Sequence, residues 1–146
     1  MKPLKRWQKI FLILAGIWVA GVVLTAPLIV RGVREWRAVE QKFDDFSQAL
    51  VEERYEDAYE YCGTGFRSTT PYEVFIEHQE ILAKRHGELK AIHGKGTTLS
   101  IKESEADWAA VIKADFEFEK ATRRVILEWH HEGGRWVVFG FKEMER

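Results

Sequence analysis

The 146-residue chain has one cysteine, Cys62, and no asparagine. A single cysteine cannot form a disulfide within the chain, so a disulfide-stapled scaffold is excluded. Without asparagine there is no acceptor for an Asn-linked glycan. Acidic residues are also missing before Glu35, although four of the 22 Lys and Arg residues lie in residues 1–9. The rest of the chain is therefore net negative, and we expect no nucleic-acid partner because phosphate backbones bind basic surfaces.

The longest apolar run is Ile10–Val30, IFLILAGIWVAGVVLTAPLIV, which contains no charged residue. At ~1.5 Å per residue, a helix of this length covers about 31 Å, close to the ~30 Å hydrocarbon core of a bilayer. The apolar core of a signal peptide is shorter, ~7–15 residues, and Pro27 follows the best small-residue pair here. The run therefore predicts an uncleaved transmembrane anchor with the lipid bilayer as its partner.

The basic residues on both sides of this run predict its orientation. Residues 1–9 form a basic stub, and its four Lys and Arg residues are denser and closer to the run than those that follow it, Arg31, Arg34, Arg37 and Lys42. Lys and Arg favour the cytoplasmic side of a membrane. We therefore expect a bacterial cytoplasmic (inner) membrane protein with its N-terminus inside and its C-terminal domain outside.

Three helices are predicted after a short juxtamembrane connector at residues 31–38. The first carries an apolar stripe at +4/+3 spacing, formed by Trp36, Val39, Phe43, Phe46 and Leu50. This stripe lasts two heptads, which favours packing on the domain's own core over a parallel coiled-coil homodimer, an alternative that stays open. The second helix covers Tyr55–Cys62 and ends at Gly63. The third starts with Thr70 as N-cap and ends at Gly87.

From Glu88 onward the apolar period changes from 3.6 to 2, which predicts strands. Gly94 and Gly96 indicate a bulge in the first strand, Glu103–Glu105 a turn, and Gly133-Gly134 a tight hairpin turn. Because the connections are short, we expect an antiparallel meander. The predicted strands are Leu89–Lys102, Trp108–Phe118, Arg123–His131 and Trp136–Lys142.

These elements predict an α+β fold. An N-terminal transmembrane helix at residues 10–30 precedes three helices packed on a four-stranded antiparallel curved sheet, with the soluble domain at residues 39–146. Only the apolar stripes of the helices are available to cover one face of the sheet. A twisted sheet wrapped over helices forms a cone with an open mouth, and such an arrangement favours a pocket.

Several short patterns resemble the nuclear transport factor 2-like superfamily, which has a cystatin-like α+β cone. They lie within residues 39–141 and are Phe46-x3-Leu50, Tyr55-Glu56-Asp57-Ala58-Tyr59, Phe66-Arg67 with Phe75, and Gly133-Gly134-Arg135-Trp136-x-Val138. The resemblance implies the fold. Ketosteroid isomerase-like and polyketide cyclase-like members of that superfamily use a pocket Asp, His or Tyr, but the matching positions here are packing residues, so no catalytic residue is carried over.

The residues themselves give little support for catalysis. Asp107 fits turn chemistry and Asp115 lies on the polar face of its strand. The histidines lack the spacing of a zinc helix, and His130-His131 point to opposite faces of a strand. We therefore expect no catalytic residue, no metal and no cofactor, and we expect a non-enzyme rather than an enzyme. A binding pocket, where present, is predicted at the cone mouth and formed by Tyr59, His78, Trp108 and Trp129.

Two functions follow from this organisation. The preferred one is a protein-interaction or scaffold module that binds another membrane or envelope protein, because a sheet face with Ile126, Trp136 and Val138 suits a partner surface. Its layout is similar to that of the inner-membrane scaffold subunit of type IV secretion systems and the non-catalytic domain beside some transpeptidases. The alternative is a small-ligand-binding or isomerase/cyclase-like pocket domain. Two or more convergent polar groups at the mouth would favour this alternative.

Overall fold

The structure is a computed structural model that describes residues 6–101 and 108–144, with the side chains of all of these except residues 6–13 and 20. The turn predicted at Glu103–Glu105, the position of Asp107 and the start of the basic stub lie outside the described residues. The chain divides into two units, Met1–Glu35 and Trp36–Arg146.

A long helix, α1 (Arg6–Val51), begins in the first unit. Its large apolar side chains from Leu14 to Val33 are exposed, and by length and composition this helix is able to span a membrane. Thr25 satisfies its hydroxyl group within the helix by donating a hydrogen bond to the Gly21 carbonyl oxygen at 2.9 Å. Residues 31–38, predicted as a connector, are helical and lie within α1.

In the second unit, the C-terminal part of α1 buries the predicted stripe from Val39 to Leu50. The helix ends at a Schellman-type cap, in which Arg54 N donates to Ala49 O and Glu53 N donates to Leu50 O. Glu53 takes the left-handed conformation (φ 57°) that glycine usually provides at this position. Three shorter helices follow, namely α2 (Tyr55–Glu60), α3 (Thr64–Thr69) and α4 (Tyr72–His86).

The ends of these helices differ from the prediction at two of three places. Gly63 does not cap α2; with φ −74° it is the residue before α3, a helix that the sequence did not predict. The prediction of Thr70 as the N-cap of α4 is also wrong, because Pro71 occupies that position and no side chain caps the helix. Gly87 does end α4, with φ 82°, as predicted.

The predicted antiparallel meander is confirmed as a curved sheet in the order β1-β2-β3-β4. The predicted bulge is confirmed by a register shift between Gly94 and Gly96. Gly133 and Gly134 both have positive φ, as a two-residue type I′ hairpin turn requires. The strands are β1 (Leu89–Ile101), β2 (Trp108–Phe118), β3 (Thr122–Glu132) and β4 (Arg135–Glu143).

One face of the sheet, the inner face, packs against the helices and forms the core. Trp136 and Val138, predicted as a partner surface, are instead buried in this core. The reason is a β-bulge in the β3–β4 ladder, where the pairing shifts between Glu128 and Trp129. The extra residue in β4 places Trp136 and Val138 on the same face as Phe141, although strict alternation predicts opposite faces.

The free edge of β4 is covered by the segment between α2 and α3. Cys62 forms a parallel bridge with Val138. Gly63 N donates to Val138 O at 2.8 Å, and Val138 N donates to Tyr61 O at 2.7 Å. Cys62 is 1 % exposed and therefore serves as a buried small hydrophobe. The segment thereby fixes α2 and α3 beside the last strand.

Candidate functional site

A cavity of about 400 Å³, called the α4 cavity below, lies between α4 and the inner face of the sheet. Its walls come from every helix of the second unit except α2, and from strands β2, β3 and β4. Five phenylalanines dominate the lining: Phe66, Phe75, Phe116, Phe118 and Phe141. Four aliphatic residues complete the apolar part: Leu50, Ile81, Leu82 and Val125. The polar residues are Thr70, His78, Gln79, Arg123 and Glu143.

The cavity exists because α4 packs incompletely against the sheet. Its sequence carries an apolar stripe, but Phe75 is its single fully buried residue. Val74 and Ile81 remain 36 % and 42 % exposed. A surface helix usually buries such a stripe against the core. Here part of the stripe faces the cavity or solvent, so an apolar molecule in the cavity would cover surface that the folded chain leaves uncovered.

An ion pair lies at the sheet end of the α4 cavity. Glu143 of β4 lies opposite Val125 of β3, and Arg123 lies two residues before Val125, so both charged side chains are on the inner face. A nitrogen of the Arg123 guanidinium contacts Glu143 Oε1. This pair, together with His78 and Gln79 of α4, gives the cavity several polar groups beside its apolar walls.

A second, polar depression adjoins the α4 cavity, since Arg123 and Glu143 line both. Its other residues are Asp115, Ala121, Thr122, Arg124 and Met144. Arg124 Nε donates to Asp115 Oδ1 at 3.0 Å, and Lys95 Nζ lies 3.6 Å from Asp115 Oδ2. The hydrogen bond from Arg124 and the nearby Lys95 charge lower the pKa of Asp115, so this carboxylate stays ionised near neutral pH.

The structure does not bring the four predicted site residues together. Of these, His78 lines the α4 cavity. The Tyr59 hydroxyl donates to the Thr70 carbonyl oxygen at 2.9 Å, and its ring packs against Phe75 at 5.5 Å.

Trp108 and Trp129 lie in the core instead of at a mouth. Trp129 is 0 % exposed and makes an edge-to-face contact with Phe46, the two ring centroids being 5.8 Å apart. Large aromatic side chains at these positions fill space rather than enclose it. Of the four residues of the predicted pocket, His78 lines the α4 cavity and the other three do not.

Arg123 and Glu143 were not predicted as site residues. The sequence did contain a signal for Arg123. It lies at two-residue spacing before the apolar residues Val125, Leu127 and Trp129, and so on the same face of β3. A charged residue on the apolar face at the end of a strand indicates either an edge position or a functional group.

The described part of the chain gives little support for metal binding or for a catalytic thiol or histidine. Among residues 6–101 and 108–144, no group of three His, Cys, Asp or Glu side chains is arranged to hold a metal ion. Burial raises the pKa of the Cys62 thiol to about 12, so this thiol is not a nucleophile near neutral pH. His93 Nε2 lies 3.3 Å from Glu117 on the exposed side of the sheet, away from the α4 cavity lining.

Comparison with known proteins adds no further assignment. No protein family matches the sequence, and no curated protein sequence matches it.

Proposed function

We propose that this chain is a single-pass protein of the bacterial inner membrane whose domain binds a small apolar molecule in the α4 cavity. This is the alternative that the sequence left open beside the interaction module. The observation that carries the proposal is the cavity itself, with mostly aromatic walls and polar groups at one end. Ligand sites are typically clefts of about 300–1,000 Å³ with apolar walls and a few convergent polar groups.

The volume of the cavity sets the size of the ligand. A dry apolar cavity of about 150 Å³ is large enough to bind benzene. The α4 cavity of about 400 Å³ is more than twice as large. By this scaling it accommodates a chain or fused-ring body of roughly 12 to 16 carbon atoms. The ligand class is therefore a lipid-like molecule rather than a metabolite of a few atoms.

The proposal includes a nuclear transport factor 2-like fold with a cone-like arrangement of helices and sheet. Support comes from the order of elements, in which the helices precede a four-stranded antiparallel meander. The location of the cavity between the last helix and the inner face agrees with this arrangement. The proposal also places the N-terminus in the cytoplasm and the domain outside, supported by the dense basic charge of residues 1–9.

A protein-interaction module is the second candidate, and one observation favours it. Val74 and Ile81 are exposed apolar residues on one helix, and Ile81 also lines the α4 cavity. An apolar side chain of a partner protein would fit such a surface. The burial of Trp136 and Val138 in the core removes two of the three residues, with Ile126, on which this function was first predicted. The ligand-binding function is therefore preferred.

Photolabelling of the full-length chain in lipid nanodiscs tests the proposal. The probe is a long-chain alcohol of about 14 carbons with a terminal diazirine, matched to the cavity volume. Peptide mapping separates labels on α4 and the inner face from labels on residues 14–30. Because an anchor in the bilayer contacts probe dissolved in lipid, labelling of residues 14–30 serves as an internal reference.

Two tryptophan variants of adjacent residues make the test specific. Val125→Trp fills the α4 cavity, whereas Ile126→Trp adds the same side chain on the opposite face of the same strand. We expect Val125→Trp to reduce labelling of the domain at least fivefold and Ile126→Trp to leave it within twofold of the unmodified chain. Absence of domain labelling in the unmodified chain, or equal labelling in both variants, would contradict ligand binding in this cavity.

A further inference from the structure

The two edges of the sheet differ in how they are covered. The edge of β4 is paired with the segment at Cys62 and Gly63. In the described part of the chain the other edge has no such cover, because β1 stands first in the strand order and the backbone of residues 96–101 bonds β2 alone. An edge strand carries a row of N–H and C=O groups that point away from its sheet. This row is available to a further strand.

The free edge of β1 is protected over only part of its length. Charged side chains, bulges and proline are the usual means by which edge strands avoid unwanted pairing. The part of β1 before Gly96 contains Lys90, Lys95 and two register shifts. Residues 96–101, GTTLSI, are uncharged, contain no proline and pair with β2 without a register shift. These six residues, called the open edge below, are therefore suited to pair with another strand.

The side chains of the open edge specify what lies beside them. Ile101 pairs with Trp108, an inner-face residue of β2. By strand alternation, Leu99 and Ile101 lie on the inner face, and Thr98 and Ser100 lie on the outer face. Ile101 is 47 % exposed although it is apolar. A strand added at this edge would cover Ile101 with an apolar side chain and place small polar side chains beside Thr98 and Ser100.

A second copy of this chain fits the open edge poorly. A two-fold axis through the sheet makes two copies of β1 antiparallel. The Thr97 hydroxyl donates to Glu40 Oε1 of α1 at 3.4 Å. Three residues later on α1, Phe43 lies beside Gly94, which precedes Thr97 on β1, so the two elements run in opposite directions. The residues before Trp36 would then leave such a pair in opposite directions, whereas two anchors in one bilayer enter it from the same side.

We propose that the open edge binds an extended segment of another protein, which adds a fifth, antiparallel strand to the sheet. Backbone hydrogen bonds supply the affinity in such pairing, and alternate side chains supply the specificity. The partner segment is uncharged over the length of the open edge, with apolar side chains beside Leu99 and Ile101 and small hydroxyl side chains beside Thr98 and Ser100. The inference uses the proposed membrane anchor but does not depend on ligand binding in the α4 cavity.

Synthetic peptides test the backbone pairing. The probe is a capped fluorescent peptide in which isoleucine and threonine alternate over the length of the open edge, with a lysine at each end for solubility. Two further versions carry N-methyl groups, one on the isoleucine nitrogens and one on the threonine nitrogens. Successive residues of a strand point their N–H groups to opposite edges, so one of the two versions loses its bonds to β1. Binding to the full-length chain in lipid nanodiscs is measured by fluorescence anisotropy.

We expect the unmodified peptide to bind and one N-methylated version to bind about 10- to 100-fold more weakly, because it lacks several hydrogen bonds. The other version should stay within about threefold. Hydrogen exchange of residues 96–101 should slow when the unmodified peptide is bound, because N–H groups that faced solvent become bonded.

A pair of lysine variants locates the binding. Ile101→Lys places a charge on the inner face beside the added strand and should weaken binding about tenfold or more, while the exposure of Ile101 lets the domain keep its fold. Val74→Lys is the matched control, since it makes the same kind of change at an apolar residue of α4 that is 36 % exposed. It should leave binding within about twofold. Thermal unfolding of both variants checks that the fold is kept.

Three results would overturn this inference and leave the α4 cavity untouched. The first is no binding of the unmodified peptide, or equal binding of the two N-methylated versions, which would exclude backbone pairing. The second is an effect of Ile101→Lys no larger than that of Val74→Lys, which would place the peptide elsewhere. The third is slow exchange of residues 96–101 without peptide in nanodiscs that hold two chains but not in those that hold one. That result would assign the open edge to a second copy.

Discussion

Removal of the Phe46 side chain is expected to expose Cys62 to alkylation. Phe46 is 0 % exposed, and its ring contacts those of Tyr61, Trp129 and Phe141 at centroid distances of 6.3, 5.8 and 5.8 Å. Truncation of a buried phenylalanine to alanine lowers the free energy of unfolding by about 3–5 kcal/mol. Phe46→Ala should therefore raise the population of open forms in which the core is disrupted.

Cys62 provides the measurement because its folded form does not react. The thiol is 1 % exposed, and burial raises its pKa to about 12, so the reactive thiolate is scarce near neutral pH. Alkylation then proceeds through opened molecules, and its rate follows their population. Since about 1.4 kcal/mol corresponds to a factor of ten, Phe46→Ala should accelerate alkylation roughly 10²- to 10⁴-fold.

The assay is iodoacetamide modification of the full-length chain in nanodiscs, followed by mass spectrometry. A pH of about 8 is used because an unperturbed thiol is partly ionised there. Gln48→Ala is the matched control on the same helix, since Gln48 is exposed and its side chain bonds Glu52 at 2.8 Å. This surface pair contributes about 0.2–0.5 kcal/mol, so the control should change the rate less than about threefold. A Phe46→Ala rate within threefold of the unmodified chain would show that Cys62 opens independently of the Phe46 core, and the reasoning would be refuted.

Two further predictions concern stability and are checked by thermal or denaturant unfolding of the full-length chain. Ser47→Ala should stabilise the domain by about 1 kcal/mol. The buried Ser47 hydroxyl has no hydrogen-bond partner among the described residues, and alanine favours the helix. A loss of stability would indicate an unseen partner of this hydroxyl. Gly87→Ala should destabilise by about 1–3 kcal/mol, because φ is 82° and a Cβ would lie 2.5 Å from Glu119 Oε2. The control Gly96→Ala, which has open space at its Cβ, should stay within about 0.5 kcal/mol; equal effects of the two changes would contradict the backbone argument.

The strands were the most predictable part of the fold. The apolar residues of β2 alternate strictly from Trp108 to Phe118, and a period of two is the pattern of a β-strand with one buried face. The predicted and observed bounds of β2 therefore coincide. The tight turn at Gly133-Gly134 was predictable because a two-residue hairpin turn requires positive φ, which glycine adopts readily.

The helices were predictable where a stripe was long and unpredictable where it was short. The stripe from Val39 to Leu50 identified the buried part of α1. In contrast, α3 has six residues and one buried side chain, Phe66, which is too little for a period of 3.6 to be recognised. Gly63 then resembled the end of one helix although it precedes the next.

The candidate site depended on two features that no local pattern contains. The bulge in the β3–β4 ladder moves Phe141 to the inner face, where it lines the α4 cavity. The cavity itself depends on how closely α4 approaches the sheet, which is a result of tertiary packing. The sequence identified residues large enough to fill a core, such as Trp129, but it did not indicate where the core would stay unfilled.

The bridge between Cys62 and Val138 has a consequence for the order of folding. The two residues are far apart in sequence, so this contact closes a long loop, and such contacts form late because loop closure costs entropy. The β3–β4 hairpin is local and forms quickly. The helices α2 and α3 reach their final places once the edge of β4 is available to bond the segment between them. Among the described elements, β4 is synthesised last. The apolar part of α1 is therefore synthesised before the domain that follows it is able to close this contact.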